Sequence, residues 1–224
     1  GVYDFTLSQE PLAVIYSAER ADGGTDLHWL DLATEQDGLI YPCPEEERCR
    51  GAAISPDGSL LAFERYSVQA DTPGPSRVWA LDLESGEPFP VGPEGHVSAS
   101  PLFSPDGLLA YRDSALGAIV LVDPTDGPEP PAFRLFPSEL GIVGTWSPDG
   151  DHLIFPEIIF PEGLSDEVSF YSHLYRAQVS TGELVDLWRT GFGQVEDAAP
   201  VYSPDGRWIA FARKHLEGDL WTLG

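Results

Sequence analysis

The tetrapeptide Ser-Pro-Asp-Gly occurs four times, starting at Ser55, Ser104, Ser147 and Ser203, and no other feature narrows the fold as far. A large apolar residue precedes each copy: Ile54, Phe103, Trp146 and Tyr202. An apolar run follows each, at residues 60–63, 108–111, 153–155 and 208–211. A fifth, degenerate copy, Leu7-Ser8-Gln9-Glu10-Pro11 followed by Val14-Ile15-Tyr16, lies in the same frame, so the five serines are 47, 49, 43 and 56 residues apart. Pro presets φ for the second position of a type I turn. Asp tolerates the third position and bonds back to nearby backbone. Gly takes the left-handed position of a bulged hairpin. With β-branched and aromatic flanks, each copy predicts strand, tight turn, strand.

A second apolar stretch follows each copy, at 27–32, 78–83, 118–123, 174–179 and 219–223. Turns such as Glu84-Ser85-Gly86-Glu87 and Ser180-Thr181-Gly182-Glu183 come next, then short final strands at 38–41, 88–91, 132–136 and 184–188. Four strands per repeat and no helical periodicity predict an all-β chain of four-stranded antiparallel blades, a β-propeller. The expected organisation is one domain, 1–224, with five visible blades at about 1–42, 43–91, 92–136, 137–188 and 189–224.

The aromatic-Ser-Pro-Asp-Gly signature, with a Tyr/Trp-x-x-Asp-x-x-Thr-Gly-like stretch near Trp29, Trp79 and Tyr175, resembles the TolB-type propeller repeats, relatives of the WD repeats. The resemblance covers almost the whole chain. It implies the fold and no single function, because such repeats serve periplasmic adaptors, peptidase gates and enzymes alike. In a propeller the first strand of each blade lines a central channel. Here these would be residues 3–7, 50–54, 97–103, 142–146 and 197–202, rich in small residues such as Gly51, Ala52, Ala99, Ser100, Gly144 and Ala199. Long connections at 18–26, 41–50, 65–76, 157–172 and 189–196 fall on one face, where binding is expected. The longest carries Ile158, Ile159, Phe160, Phe170 and Tyr171, read as an apolar ridge that either packs onto its own blade or docks a partner.

The chain has 37 acidic against 12 basic residues, a formal net charge of −25. Such a surface repels nucleic acid, which is bound through Lys and Arg, and anionic membranes. No apolar run is long enough for a membrane span. Lys214 is the only lysine and Met is absent, so the expectation is a processed chain or a piece of a longer one. It starts at or inside a first strand and ends after a third, with no spare strand to close a ring, and an open edge invites pairing with another copy. Cys43 and Cys49 close a short acidic stretch. Their spacing and lack of nearby His fit zinc poorly, leaving a local disulfide or two free thiols.

No Gly-x-Ser-x-Gly elbow exists, and the repeated serines read as turn residues. His28, His96, His152, His173 and His215 share no repeat phase, and no metal or cofactor is expected. Asp4, Glu196 and Asp197 would meet near one channel mouth if the ring closed, as a cation or glycosidase carboxylate pair, although chance proximity explains that in so acidic a chain. Trp29, Trp79, Trp146, Trp208 and Trp221 follow the repeat and read as inter-blade core. The leading expectation is a non-enzymatic binding or scaffold propeller outside the bacterial cytoplasm, periplasmic, extracellular or on the cell surface. Its partner would be a protein, copies of itself or a surface polymer. The alternatives are the substrate-gating propeller of a larger peptidase or hydrolase, and a carbohydrate-active propeller.

Overall fold

The computed structural model describes all residues except 10–11, 70–71, 160–170, 188–194, 216–219 and 224. Strands β1 (Val2–Gln9), β2 (Leu12–Glu19), β3 (Thr25–Asp31) and β4 (Asp37–Tyr41) form an antiparallel meander. The next consists of β5 (Glu47–Ile54), β6 (Leu60–Gln69), a short β7 (Thr72–Pro73) paired to β6, β8 (Arg77–Asp82) and β9 (Pro88–Pro90). A parallel contact between Thr25 and Arg48 joins the two into one sheet. A second sheet runs in the order β10 (Ser98–Phe103), β11 (Leu109–Asp113), β12 (Ala118–Val122), β13 (Ala132–Pro137). In the third, β14 (Thr145–Trp146), β15 (His152–Ile159), β16 (Tyr171–Gln178) and β17 (Leu184–Asp186) are followed by β18 (Val195–Tyr202), β19 (Ile209–His215) and β20 (Leu220–Leu223). The chain divides into two compact units, Gly1–Leu116 with Leu121–Phe133, and Gly117–Val120 with Arg134–Gly224.

Each Ser-Pro-Asp-Gly copy closes a hairpin, and the serine does more than occupy a turn. At the first copy the Gly58 amide donates to the Ser55 carbonyl at 2.9 Å, as a tight turn requires. The Ser55 hydroxyl donates to Asp57 at 2.6 Å and accepts from the Leu60 amide at 2.9 Å. The same two side-chain bonds recur at Ser104 with Asp106 and Leu108, at Ser147 with Asp149 and His152, and at Ser203 with Asp205 and Trp208. The four glycines sit at φ +71, +95, +75 and +69. Gly150→Val is therefore expected to destabilise by about 1–2 kcal/mol, since Cβ crowds the following carbonyl in the left-handed region. A thermal melt matching the parent would refute the hairpin geometry.

The serine hydroxyls, then backbone amides, hold the Asp57, Asp149 and Asp205 carboxyls below their ordinary value of 3.8. A depressed folded pKa contributes stability above the unfolded value, and that stability is lost as pH falls through the folded one. The loss should thus come below about pH 4. A Ser55→Ala/Ser147→Ala/Ser203→Ala variant should show less of this acid-dependent loss in circular dichroism titrations.

The strands expected to lead the repeats are present, with one shortened. β14 holds only Thr145 and Trp146 of the 142–146 segment. Upstream, the amides of Glu139 and Leu140 donate to the Glu157 carboxylate, at 3.1 and 3.2 Å, and not to a strand ladder. The small residues of β5, β10 and β18 mark left-handed bulges: Gly51, Ser100 and Ala199 lie at φ +61, +55 and +50, inside register shifts at 50/53, 99/102 and 198/201. Two expected loops are partly strand. β6 continues through Arg65 to Gln69 because β5 starts as early as Glu47, opposite Ser67. β15 and β16 take in residues 157–159 and 171–172, with Ile159 facing Tyr171.

In the first unit Ile15, Leu27, Leu61, Phe63 and Leu81 form a buried cluster with Cys43 and Cys49, flanked by Ile40, Tyr41, Ile54 and Trp79. Trp146 is buried, whereas Trp208 is 69% exposed, correcting its reading as core. It directly follows the turn, and among the described residues nothing covers it.

Candidate functional site

Arg48 and Arg50 alternate along β5 and so project to the same face, while Cys49 between them is fully buried. Opposite them on β6 stand Tyr66 and Glu64. Together with Asp4 of β1, Thr25 of β3 and the bulge residue Gly51, they line a cavity of about 340 Å³ within the first unit. The bulge sets its floor. The Gly51 amide is turned out of the ladder and donates to Asp4 at 2.9 Å, and the other Asp4 oxygen accepts from the Ser17 hydroxyl at 2.5 Å. Glu64 repeats the device, accepting from the Ser100 amide at 2.9 Å. Its second oxygen lies 3.4 Å from the Ser76 hydroxyl and from two Arg50 nitrogens. Thus a carboxylate of one meander caps the bulge of the next, and what remains facing the cavity is cationic and phenolic.

The Arg50 guanidinium lies 4.9 Å from the centre of the Tyr66 ring, within cation–π range. Arg48 donates to the Gly23 carbonyl at 2.9 Å. Thr25 is occupied on both sides: its hydroxyl donates to the Cys49 carbonyl at 2.7 Å and accepts from the Cys49 amide at 2.9 Å. Cys43 and Cys49 form a disulfide, which ties the start of β5, and with it both arginines, to the segment after β4. Arg20 clamps the same segment, donating to the Cys43 and Pro44 carbonyls and to Asp26, which in turn accepts from the Cys43 amide.

The residues proposed from sequence lie elsewhere. Ile158, Ile159 and Tyr171 are half-buried in the β15–β16 hairpin. Phe160 and Phe170 of that ridge lie outside the described residues. Of the three candidate carboxylates, Asp4 belongs to the cavity, Asp197 is paired bidentately with Arg213 at 2.6 and 2.7 Å, and Glu196 lies 3.8 Å from Lys214. The buried Asp113 accepts from the Ala115 and Leu116 amides and lies 2.7 Å from His96. Burial first, then Asp113, pushes the Tyr111 hydroxyl up to about 12. Among the described residues no group of three or more His, Cys, Asp and Glu side chains is placed to hold a metal ion.

Sequence reasoning missed the arginine cavity. Its one local signal was Arg-Cys-Arg, two of the few basic residues of an acidic chain on alternate positions of a first strand.

No protein-family model matches the chain. It is 25% identical over 197 residues to an uncharacterized peptidase, YuxL, of Bacillus subtilis, a match that covers 74% of this chain and 29% of the peptidase. It superimposes on TolB from Acinetobacter baumannii with a TM-score of 0.63 at 14% identity, over 100% of this chain and 54% of that one. The β-propeller domain of the Trilobed protease from Pyrococcus furiosus gives a TM-score of 0.60 at 14% identity, covering 99% of this chain and 70% of that one. The chain has the TolB-type β-propeller fold. The cavity of Arg48 and Arg50 is thus lined by the first and third strands of one propeller meander and the first and second strands of the next. The propeller spans about half of the TolB chain and under a third of the peptidase.

Proposed function

We propose that this propeller is a binding module that works outside the cytoplasm and holds a peptide or protein, including further copies of itself, without transforming it. The observation that carries the reading is the cavity of Asp4, Arg48, Arg50, Glu64 and Tyr66. Its volume falls in the range of ligand pockets, about 300–1,000 Å³. Its groups recognise by charge and hydrogen bonding, and its aliphatic hydroxyl, Thr25, is locked between the carbonyl and amide of Cys49. The disulfide supports an oxidising compartment.

The similarity to a peptidase over 74% of this chain favours a second reading, in which the propeller is the substrate-handling part of a longer peptidase and the same cavity holds its peptides. The full sequence of the protein at its source separates the two: a Gly-x-Ser-x-Gly nucleophile elbow beyond the propeller favours the peptidase. Calorimetric titration with an equimolar pool of short synthetic peptides tests the shared claim. Saturable binding that is weakened by Arg50→Ala is expected; no saturable heat would refute it.

A further inference from the structure

We propose that the group this cavity recognises is a single carboxylate, seated against Arg50 and the Tyr66 hydroxyl; the inference rests on the binding reading above. The cavity's own carboxylates are already engaged. Asp4 has one partner on each oxygen, Ser17 and Gly51. Glu64 accepts from Ser100 on one oxygen and from Ser76 and Arg50 on the other.

The donors are not used up. The Arg50 side chain is 50% exposed, and its contacts to Glu64 are both at 3.4 Å, the outer limit of a hydrogen bond. Its remaining nitrogen and the Tyr66 hydroxyl have no hydrogen-bond partner among the described residues. The Tyr66 side chain is buried, and its ring lies against the guanidinium, 4.9 Å from centroid to carbon. The planar fork of a guanidinium matches the two oxygens of a carboxylate. Asp4 and Glu64 stand close by, and the chain carries a net charge of −25, so a multiply charged anion meets repulsion that a single carboxylate largely escapes.

Two sources supply such a group, the C-terminus of a peptide or an acidic side chain. Three N-acetylated tetrapeptides distinguish them: a peptide with uncharged side chains and a free C-terminus, the same peptide amidated, and an amidated peptide carrying one Glu. The expected result is that the free acid binds at least about tenfold more tightly than its amide, the scale of a charge-assisted hydrogen bond. Arg50→Gln and Tyr66→Phe, checked for parental melting temperature, should reduce that ratio towards one. Binding of the Glu peptide as tightly as the free acid supports the carboxylate and makes the side chain a source; binding only of the free acid supports it and assigns the C-terminus. Equal binding of all three overturns the carboxylate and leaves the binding reading standing. No binding by any overturns both.

Discussion

Phe63→Ala is expected to cost about 3–5 kcal/mol, more than a substitution at any of the turns or in the cavity. Phe63 is completely buried in β6, among Ile15, Leu27, Leu61 and Leu81, with the Tyr41 ring 5.4 Å away. The β-strands around it belong to two hydrogen-bonded meanders and cannot collapse independently into the space an alanine leaves. The cost is therefore the lost transfer free energy plus a cavity term. For a chain of this size each kcal/mol lowers Tm by about 2–4 °C, so calorimetry should find a drop of roughly 6–20 °C. Phe63→Leu, which keeps most of the volume, should cost less than about 1.5 kcal/mol. Because Glu64 follows Phe63 directly and caps the Ser100 bulge, the alanine variant should also weaken ligand binding at the cavity. A Phe63→Ala protein that melts with the parent would mean this cluster is not the core of the first unit.

Removing the disulfide through Cys43→Ala/Cys49→Ala is the second large effect, about 2–3 kcal/mol from loop closure in the unfolded chain. The bridge joins residues six apart, so its entropic contribution is at the short-loop end. The Arg20 clamp on the Cys43 and Pro44 carbonyls holds part of the loop without it. Both half-cystines are buried, so the alanines leave some core volume empty and the loss should not fall below that range. The parent should lose a similar amount on reduction, while the double variant should melt identically with and without reductant. Because Arg48 and Arg50 flank Cys49, carboxylate binding should weaken in the reduced parent as well. A parent insensitive to reductant would show that the Arg20 clamp alone sets the position of β5.

The parts of this fold that were legible are those settled within a few residues. Ser-Pro-Asp-Gly located four hairpins because Pro, Asp and Gly each restrict the backbone locally, and the turns at Gly86 and Gly182 followed for the same reason. The double role of the serine hydroxyl was not legible. A hydroxyl that donates to an aspartate and accepts the closing amide looks, in one dimension, like any turn serine. The extended ends of β6 and β15 were hidden because Arg65, Ser67 and Glu157 carry no apolar alternation. They are strands because a neighbouring strand offers amides and carbonyls there. The exposure of Trp208 was equally invisible, since an aromatic in a repeated position is buried only if a neighbour covers it.

The candidate site shows the division most clearly. The apolar ridge around Ile158 and Tyr171 stood out because hydrophobic residues in a long connection inside one repeat are conspicuous in a sequence. The cavity did not, because Asp4, Thr25, Arg50 and Glu64 belong to four strands, and the bonds that shape it span long separations, 47 residues from Asp4 to Gly51 and 36 from Glu64 to Ser100. The sequence by itself determined the repeat, the hairpins, the acidic surface and a choice between a disulfide and two thiols. Only the tertiary structure decided that the cysteines are joined, that Gly51 and Ser100 are left-handed bulges and that carboxylates from neighbouring meanders cap them. Turn chemistry is local and is written in adjacent residues. A cavity exists only where distant strands leave donors facing one another, after their other partners have been satisfied.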